Sequence, residues 1–195
     1  MPKTSRACAL LVWFSACSGG TADANAANFA RIAALESKVQ ALETLLGGSA
    51  SPAVWGFDIS CPAPWQRLGP VGDAVWTCRK QQALPNGFWP NCNVTEAAIE
   101  TQAPLSAKES FDASLAVPPM HSVRRISERP SALDTVPAHE AIYEHDLLSK
   151  PLRVLATLAV RANHAYAVSC AAPPEAFATN ETSFRQITRS FKFTP

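Results

Sequence analysis

The sequence predicts an α+β fold, a single mixed domain over residues 54–193 preceded by an isolated N-terminal helix over 28–46. Three observations carry this reading. Strand and helix signals alternate throughout 54–193, as in a domain that layers both element types around one core. Apolar residues at heptad spacing mark 28–46. Between the two, Gly47-Gly48 stops the helix and Ser49-Ala50-Ser51-Pro52 follows, so 47–53 reads as a linker.

The chain opens with the layout of a bacterial lipoprotein signal. Lys3 and Arg6 supply a basic start, an apolar run follows, and Phe14-Ser15-Ala16 leads into Cys17. Residues 1–16 are then the signal peptide, and Cys17 is acylated (palmitate-type chains) and becomes the new N-terminus. Phe14 occupies the place where such signals usually carry Leu. The competing reading is an ordinary secretory signal cleaved near Ala16. Residues 17–27, CSGGTADANAA, are small and polar and read as a flexible tether. After residue 16 no stretch is both long and uncharged enough to span a bilayer, so membrane contact is expected through the N-terminal lipid. The expected location is the bacterial cell envelope, periplasm-facing or at the outer membrane. Ser18, where an Asp retention signal would stand, favours the outer membrane in lineages that use that rule.

In the helix over 28–46, Ile32, Val39 and Leu46 fall at heptad position a and Leu35 and Leu42 at d. β-Branched residues at a with Leu at d favour a parallel pair, and Arg31/Glu36 and Lys38/Glu43 place opposite charges at g and the following e. A parallel homo-oligomer through this short coiled coil is expected. An amphipathic helix packed on its own domain is the alternative, and fewer than three heptads is marginal for self-association in water.

The domain begins with β-rich segments at Val54–Ser60 and Ala74–Arg79, and an extended run covers Phe88–Ile99 after the turn signal Pro85-Asn86-Gly87. Ser106-Ala107-Lys108-Glu109 is a capping box, so a helix is expected from 107 to 117, stopped by Pro118-Pro119. Strands are expected at His121–Arg129, His139–Leu147, Leu152–Arg161 and Ala165–Ala171, the last two joined by a hairpin turn at 162–164. The strand over 152–161 is apolar on both faces, which places it inside a sheet covered on both sides. A closing helix over 175–190 aligns Phe177, Phe184, Ile187 and Phe191 near one stripe.

Apart from Cys8 and Cys17, the cysteines are Cys61, Cys78, Cys92 and Cys170. An even number without Cys-x-x-Cys spacing reads as two disulfides in an oxidising compartment. A zinc site would need closer pairs of ligands. Three connectivities are open; Cys61–Cys78 with Cys92–Cys170 keeps one bridge local to a hairpin.

The order of these elements resembles the PsbP-like domains. The features that match are an extended start ending in a cysteine and Trp65, a capped helix, and Pro137-Ala138-His139-Glu140-Ala141 entering a strand. The hairpin 152–171 and the closing aromatic helix with Ser190-Phe191-Lys192-Phe193 add to them. The resemblance covers about 54–193 and implies an antiparallel sheet flanked by helices, an α/β/α sandwich. It also implies a non-catalytic role in binding or assembly, with an envelope protein or other envelope component as partner.

Charge and motifs exclude several classes. With 17 basic against 16 acidic side chains the net charge is +1, which leaves no footprint for nucleic acid. His139 and His145 flank Glu140 and Glu144, but on a strand six residues span about 20 Å, too far for one ion, so no metal is expected. His121 and His164 read as loop residues. No Gly-x-Ser-x-Gly or phosphate loop is present, so neither enzyme activity nor a cofactor is expected. Arg124, Arg125 and Arg129 read as a solvated strand end. Trp55, Trp65, Trp76 and Trp89 read as packing around the disulfides, with a binding surface as the alternative.

Overall fold

The computed structural model describes residues 56–99, 105–116, 122–147 and 150–195. Cys17, the tether, the helix over 28–46 with Ile32, Leu35, Val39, Leu42 and Leu46, the linker, Trp55 and His121 lie outside the described residues. The elements run β1 Phe57–Asp58, β2 Trp65–Leu68, β3 Ala74–Lys80, β4 Asn91–Ala98, α1 Ala107–Leu115, β5 Arg124–Leu133, β6 Val136–Leu147, β7 Lys150–Arg161, β8 His164–Ala172, α2 Pro174–Arg189 and β9 Lys192–Phe193.

Seven strands form one antiparallel sheet in the order β2-β3-β4-β8-β7-β6-β5, and β1 pairs separately with β9. The two helices take opposite faces of the large sheet, giving the expected α/β/α sandwich. Alternation along β7 explains why both faces need a cover. Val154, Ala156 and Leu158 join Phe111 and Leu115 of α1, Ala141 and Tyr143 of β6 and Ala165 and Ala167 of β8. Leu155 and Ala159 face the other way, into a larger cluster with Trp76, Val94, Val168 and the α2 residues Phe177, Phe184 and Ile187. Each large apolar side chain removed from water there contributes about 1.5–3 kcal/mol.

Local chemistry sets the ends of the helices. Ser106 caps α1: its Oγ accepts the Glu109 N–H at 3.2 Å, and the Glu109 carboxylate accepts the Ser106 N–H at 2.8 Å. Pro174 opens α2, where its missing N–H costs nothing. Ser190 closes α2, donating its hydroxyl to the Ile187 carbonyl at 2.7 Å and accepting the Ser60 N–H at 2.9 Å. That second bond ties the segment after β1 to the end of the helix. The aromatic stripe of α2 then meets Trp65 of β2, with Trp65 and Phe184 ring centroids 5.7 Å apart.

Three details differ from the sequence reading. The break expected between Arg129 and His139 is absent: β5 continues through Pro130 to Leu133, and a two-residue turn, Asp134-Thr135, starts β6 at Val136. Pro130 is tolerated because β5 is the edge of the sheet, where a missing N–H breaks no inner ladder. His164 is the first residue of β8 rather than a loop residue, and its Nδ1 contacts the Glu96 carboxylate of β4. The strands β2 and β9 are four and two residues long, too short for an alternating pattern to show. The turn between β7 and β8 is the expected hairpin, with Ala162 and Asn163 at φ +49° and +61°.

Cys61 is bonded to Cys78 and Cys92 to Cys170. The first bridge pins the segment crossing the α2 face onto β3, and the second joins neighbouring strands β4 and β8. Both lie in the larger core. Among the described residues no helix is long and apolar enough to cross a membrane.

Candidate binding cleft

An open cleft of about 610 Å³ lies at one end of the sheet, beside the first turn of α1. The turns of the β5–β6 and β7–β8 hairpins reach this end. Its walls are mainly apolar: Leu105 and Ala107 at the start of α1, Pro130 of β5, Pro137 of β6 and Val160 of β7. His139, Lys108 and Asn163 add polar groups. A concave, mostly apolar site with a few polar groups suits a binding role.

The polar groups are arranged for holding α1 against the sheet. Lys108 Nζ sits 2.9 Å from Asp112 and 3.8 Å from Glu128, and Arg125 reaches Asp112 at 2.5 Å and Glu128 at 3.1 Å. Partial burial pushes the Asp112 carboxyl up, but hydrogen bonds from Lys108 and Arg125 outweigh it and hold the group below its ordinary pKa. The capping box occupies the end of α1, and the two hydrogen bonds from Ser106 keep the Glu109 carboxyl below its usual value. An anion would meet that carboxylate at the helix end, so the cleft favours an apolar or neutral guest.

His139 is buried on β6, its ring 5.4 Å from that of Phe111 in an edge-on contact. Its Nε2 stands 3.4 Å from the Glu128 carboxylate, out of line for a hydrogen bond, and has no hydrogen-bond partner. Four and six residues further along, Tyr143 and His145 carry on the same face. Burial raises the Tyr143 phenol well above its usual range and lowers His145. The Tyr143 hydroxyl and the His145 Nε2 are likewise unpartnered. His139 and His145 are not brought together, and among the described residues no three potential ligands group around a metal position.

The remaining sequence candidates are structural. Arg124 pairs with Glu144, which also accepts from Arg153 at 2.6 Å, and Arg129 reaches Glu140 at 2.9 Å. The expected solvated strand end is therefore a row of paired charges. Trp65 and Trp76 are buried in the α2-face core. Trp89 is 37 % exposed, with the Arg79 guanidinium 4.5 Å over its ring. All four described cysteines are in disulfides, so none is available as a free nucleophile. Sequence reasoning did not find the cleft. Its walls come from four elements spread over residues 105–163, and the only local sign was the pair of prolines, Pro130 and Pro137, beside a turn.

No protein-family model matches this sequence, and no curated protein matches it significantly. Solved structures do. The chain is similar to LpqN, described as involved in cell envelope biogenesis of Mycobacterium tuberculosis, with a TM-score of 0.56, 12% identity, and 71% of this chain and 83% of that one covered. It is similar to the cyanobacterial PsbP of Synechocystis sp. PCC 6803 with a TM-score of 0.49, 14% identity and coverage of 71% and 86%. A Pseudomonas aeruginosa protein of unknown function, PA94, gives 0.49, 12%, 71% and 85%. At such identities the LpqN likeness shows a shared fold and nothing finer.

Proposed function

We propose that this protein is a lipid-anchored component of the bacterial cell envelope whose α/β/α domain binds another envelope protein or component without catalysing a reaction. The observation that carries the binding reading is the open, largely apolar cleft beside α1. Two disulfides support an oxidising compartment outside the cytoplasm. The fold likeness to an envelope biogenesis protein is consistent with it.

Anchoring is assigned to Cys17, with residues 17–27 as a tether and the heptad helix over 28–46 as a short parallel self-association element. The described chain enters at Gly56, whose carbonyl accepts the Thr194 N–H at 3.0 Å. That entry lies at the sheet end where Lys192 meets the Asp134 turn at 2.9 Å, the same end as the cleft. The chain therefore joins the domain at the end that carries the cleft.

Fractionation tests the anchor. The native protein should stay with membranes and take up labelled palmitate, whereas Cys17→Ala should be soluble and unlabelled; equal distribution of both would contradict lipid anchoring. Deleting 28–46 should remove self-crosslinks and leave partner capture intact. Loss of all function with that deletion, together with capture of nothing but self, would favour a spacer role acting through the coiled coil.

A further inference from the structure

Antiparallel pairing lays one row of side chains across the face that α2 covers. Cys78 of β3 is opposite Cys92 of β4, and Cys92 is opposite Cys170 of β8. All three are fully buried. Directly opposed residues on antiparallel strands stand about 4.5–5.5 Å apart at Cα, within the separation a disulfide spans. Cys92 therefore has a cysteine on each side and is bonded to one of them, Cys170. Cys78 is bonded out of the row to Cys61, which is partly exposed.

The geometry points to a thiol-exchange site at Cys61–Cys78, coupled through Cys78 to the Cys92–Cys170 bond. The reacting partner is a dithiol reductant. One of its thiolates attacks the sulfur of the partly exposed Cys61, forming a mixed disulfide there and releasing Cys78 as a thiolate. Cys78 then attacks the Cys92 sulfur: a Cys78–Cys92 bond forms, the Cys92–Cys170 bond breaks, and Cys170 takes the electron pair and a proton. The second thiol of the reductant resolves the mixed disulfide, leaving Cys61 as a thiol and the reductant oxidised. Two electrons and two protons pass from the dithiol to Cys61 and Cys170, and the protein goes from two disulfides to one.

Three features favour the second step. Along the row, Cys78 approaches Cys92 from the side away from Cys170, the direction in which displacement at sulfur proceeds. A thiolate left among apolar side chains is disfavoured, so Cys78 is driven either to protonate or to attack the disulfide beside it. Cys170 Sγ lies 3.9 Å from the Phe184 carbonyl of α2, an acceptor for the thiol that exchange releases. The consequence is a swap of staples: the β4–β8 bridge is replaced by a β3–β4 bridge.

The test treats the folded full chain with one equivalent of a dithiol, quenches by rapid alkylation, and maps labelled and linked peptides by mass spectrometry. Alkylated Cys61 and Cys170 with a Cys78–Cys92 linked pair is the expected pattern. Label on Cys61 and Cys78 with Cys92–Cys170 intact would overturn the coupling, as would simultaneous loss of both bridges. Cys61→Ser gives a second route, since it leaves Cys78 as a permanent thiol beside the bond. A Cys78–Cys92 linked peptide should appear in that variant alongside Cys92–Cys170. Recovery of Cys92–Cys170 alone, with Cys78 alkylated, would count against the relay.

Discussion

Arg185 of α2 stands 3.0 Å from Glu140 of β6 and thereby fastens the closing helix to the sheet. Glu140 is 8% exposed and also receives Arg129 from the edge strand, while Arg185 is held by Glu181 one helical turn away at 2.7 Å. Arg185→Ala removes one of two cations from a nearly buried carboxylate. Hydrogen bonds to charged groups contribute about 1.5–3 kcal/mol, and with Arg129 still present the loss should lie toward the lower end. Urea unfolding checks this: a lower midpoint with an unchanged slope is expected, and no shift would mean that α2 is held by its aromatic stripe alone.

The opposite face depends on Phe111. It is fully buried on α1 and touches both His139 and Tyr143, at ring separations of 5.4 and 6.1 Å. Phe111→Ala should cost about 3–5 kcal/mol. Because α1 forms one wall of the cleft, binding should weaken together with stability. Calorimetric unfolding of the variant reads the first effect.

Acid stability has a component with a known sign. Burial lowers His145 below its ordinary value of 6.5, against the raising effect of the Asp146 carbonyl and charge. The folded state therefore favours the neutral ring, and the unfolded chain takes up the proton first. The contribution of this residue is fully present above 6.5 and is lost as pH falls from there through the folded value. Asp112 and Glu144 are also depressed, from 3.8 and 4.5, so their contributions disappear only in stronger acid. His145→Asn should accordingly reduce the slope of stability against pH between 6.5 and the carboxylate range. An unchanged slope would show that the ring is solvated in the folded protein.

The β7–β8 turn leaves room for improvement. Ala162 and Asn163 both have positive φ, the type I′ geometry that favours Asn-Gly. A non-glycine residue in the left-handed region costs about 1–2 kcal/mol. The double change Ala162→Asn with Asn163→Gly should raise stability by about 1 kcal/mol, read as a higher urea midpoint.

Much of this architecture was legible because periodicity exposes it. The two-sided apolar pattern of 152–161 announced a covered strand, and Phe177, Phe184 and Ile187 announced the face that α2 buries, whereas Phe191 lies beyond the end of the helix and stacks on Phe57. Ser106 and Glu109 marked the start of α1 to the residue. What was not legible depended on context. Pro130 reads as a strand breaker unless its strand is known to be the edge, and β2 and β9 are too short to carry a period. The cleft stayed hidden because residues as far apart as Leu105 and Val160 meet only after the sheet has formed. The histidines on β6 were correctly kept apart by strand geometry. The burial that leaves the Nε2 atoms of His139 and His145 without hydrogen-bond partners could not be read from β6 alone.

Site-specific photo-crosslinking in intact membranes decides whether the cleft is a binding site. A photoreactive residue placed at Pro137, exposed on the cleft wall, is compared with one at Gln82, exposed in the β3–β4 loop at the other end of the sheet. A discrete adduct with an envelope component is expected from position 137, absent from position 82 and lost when the cleft is charged by Val160→Glu in a variant that still folds. Adducts equally strong from both positions, or from 137 unaffected by the charge, would contradict a binding role for the cleft.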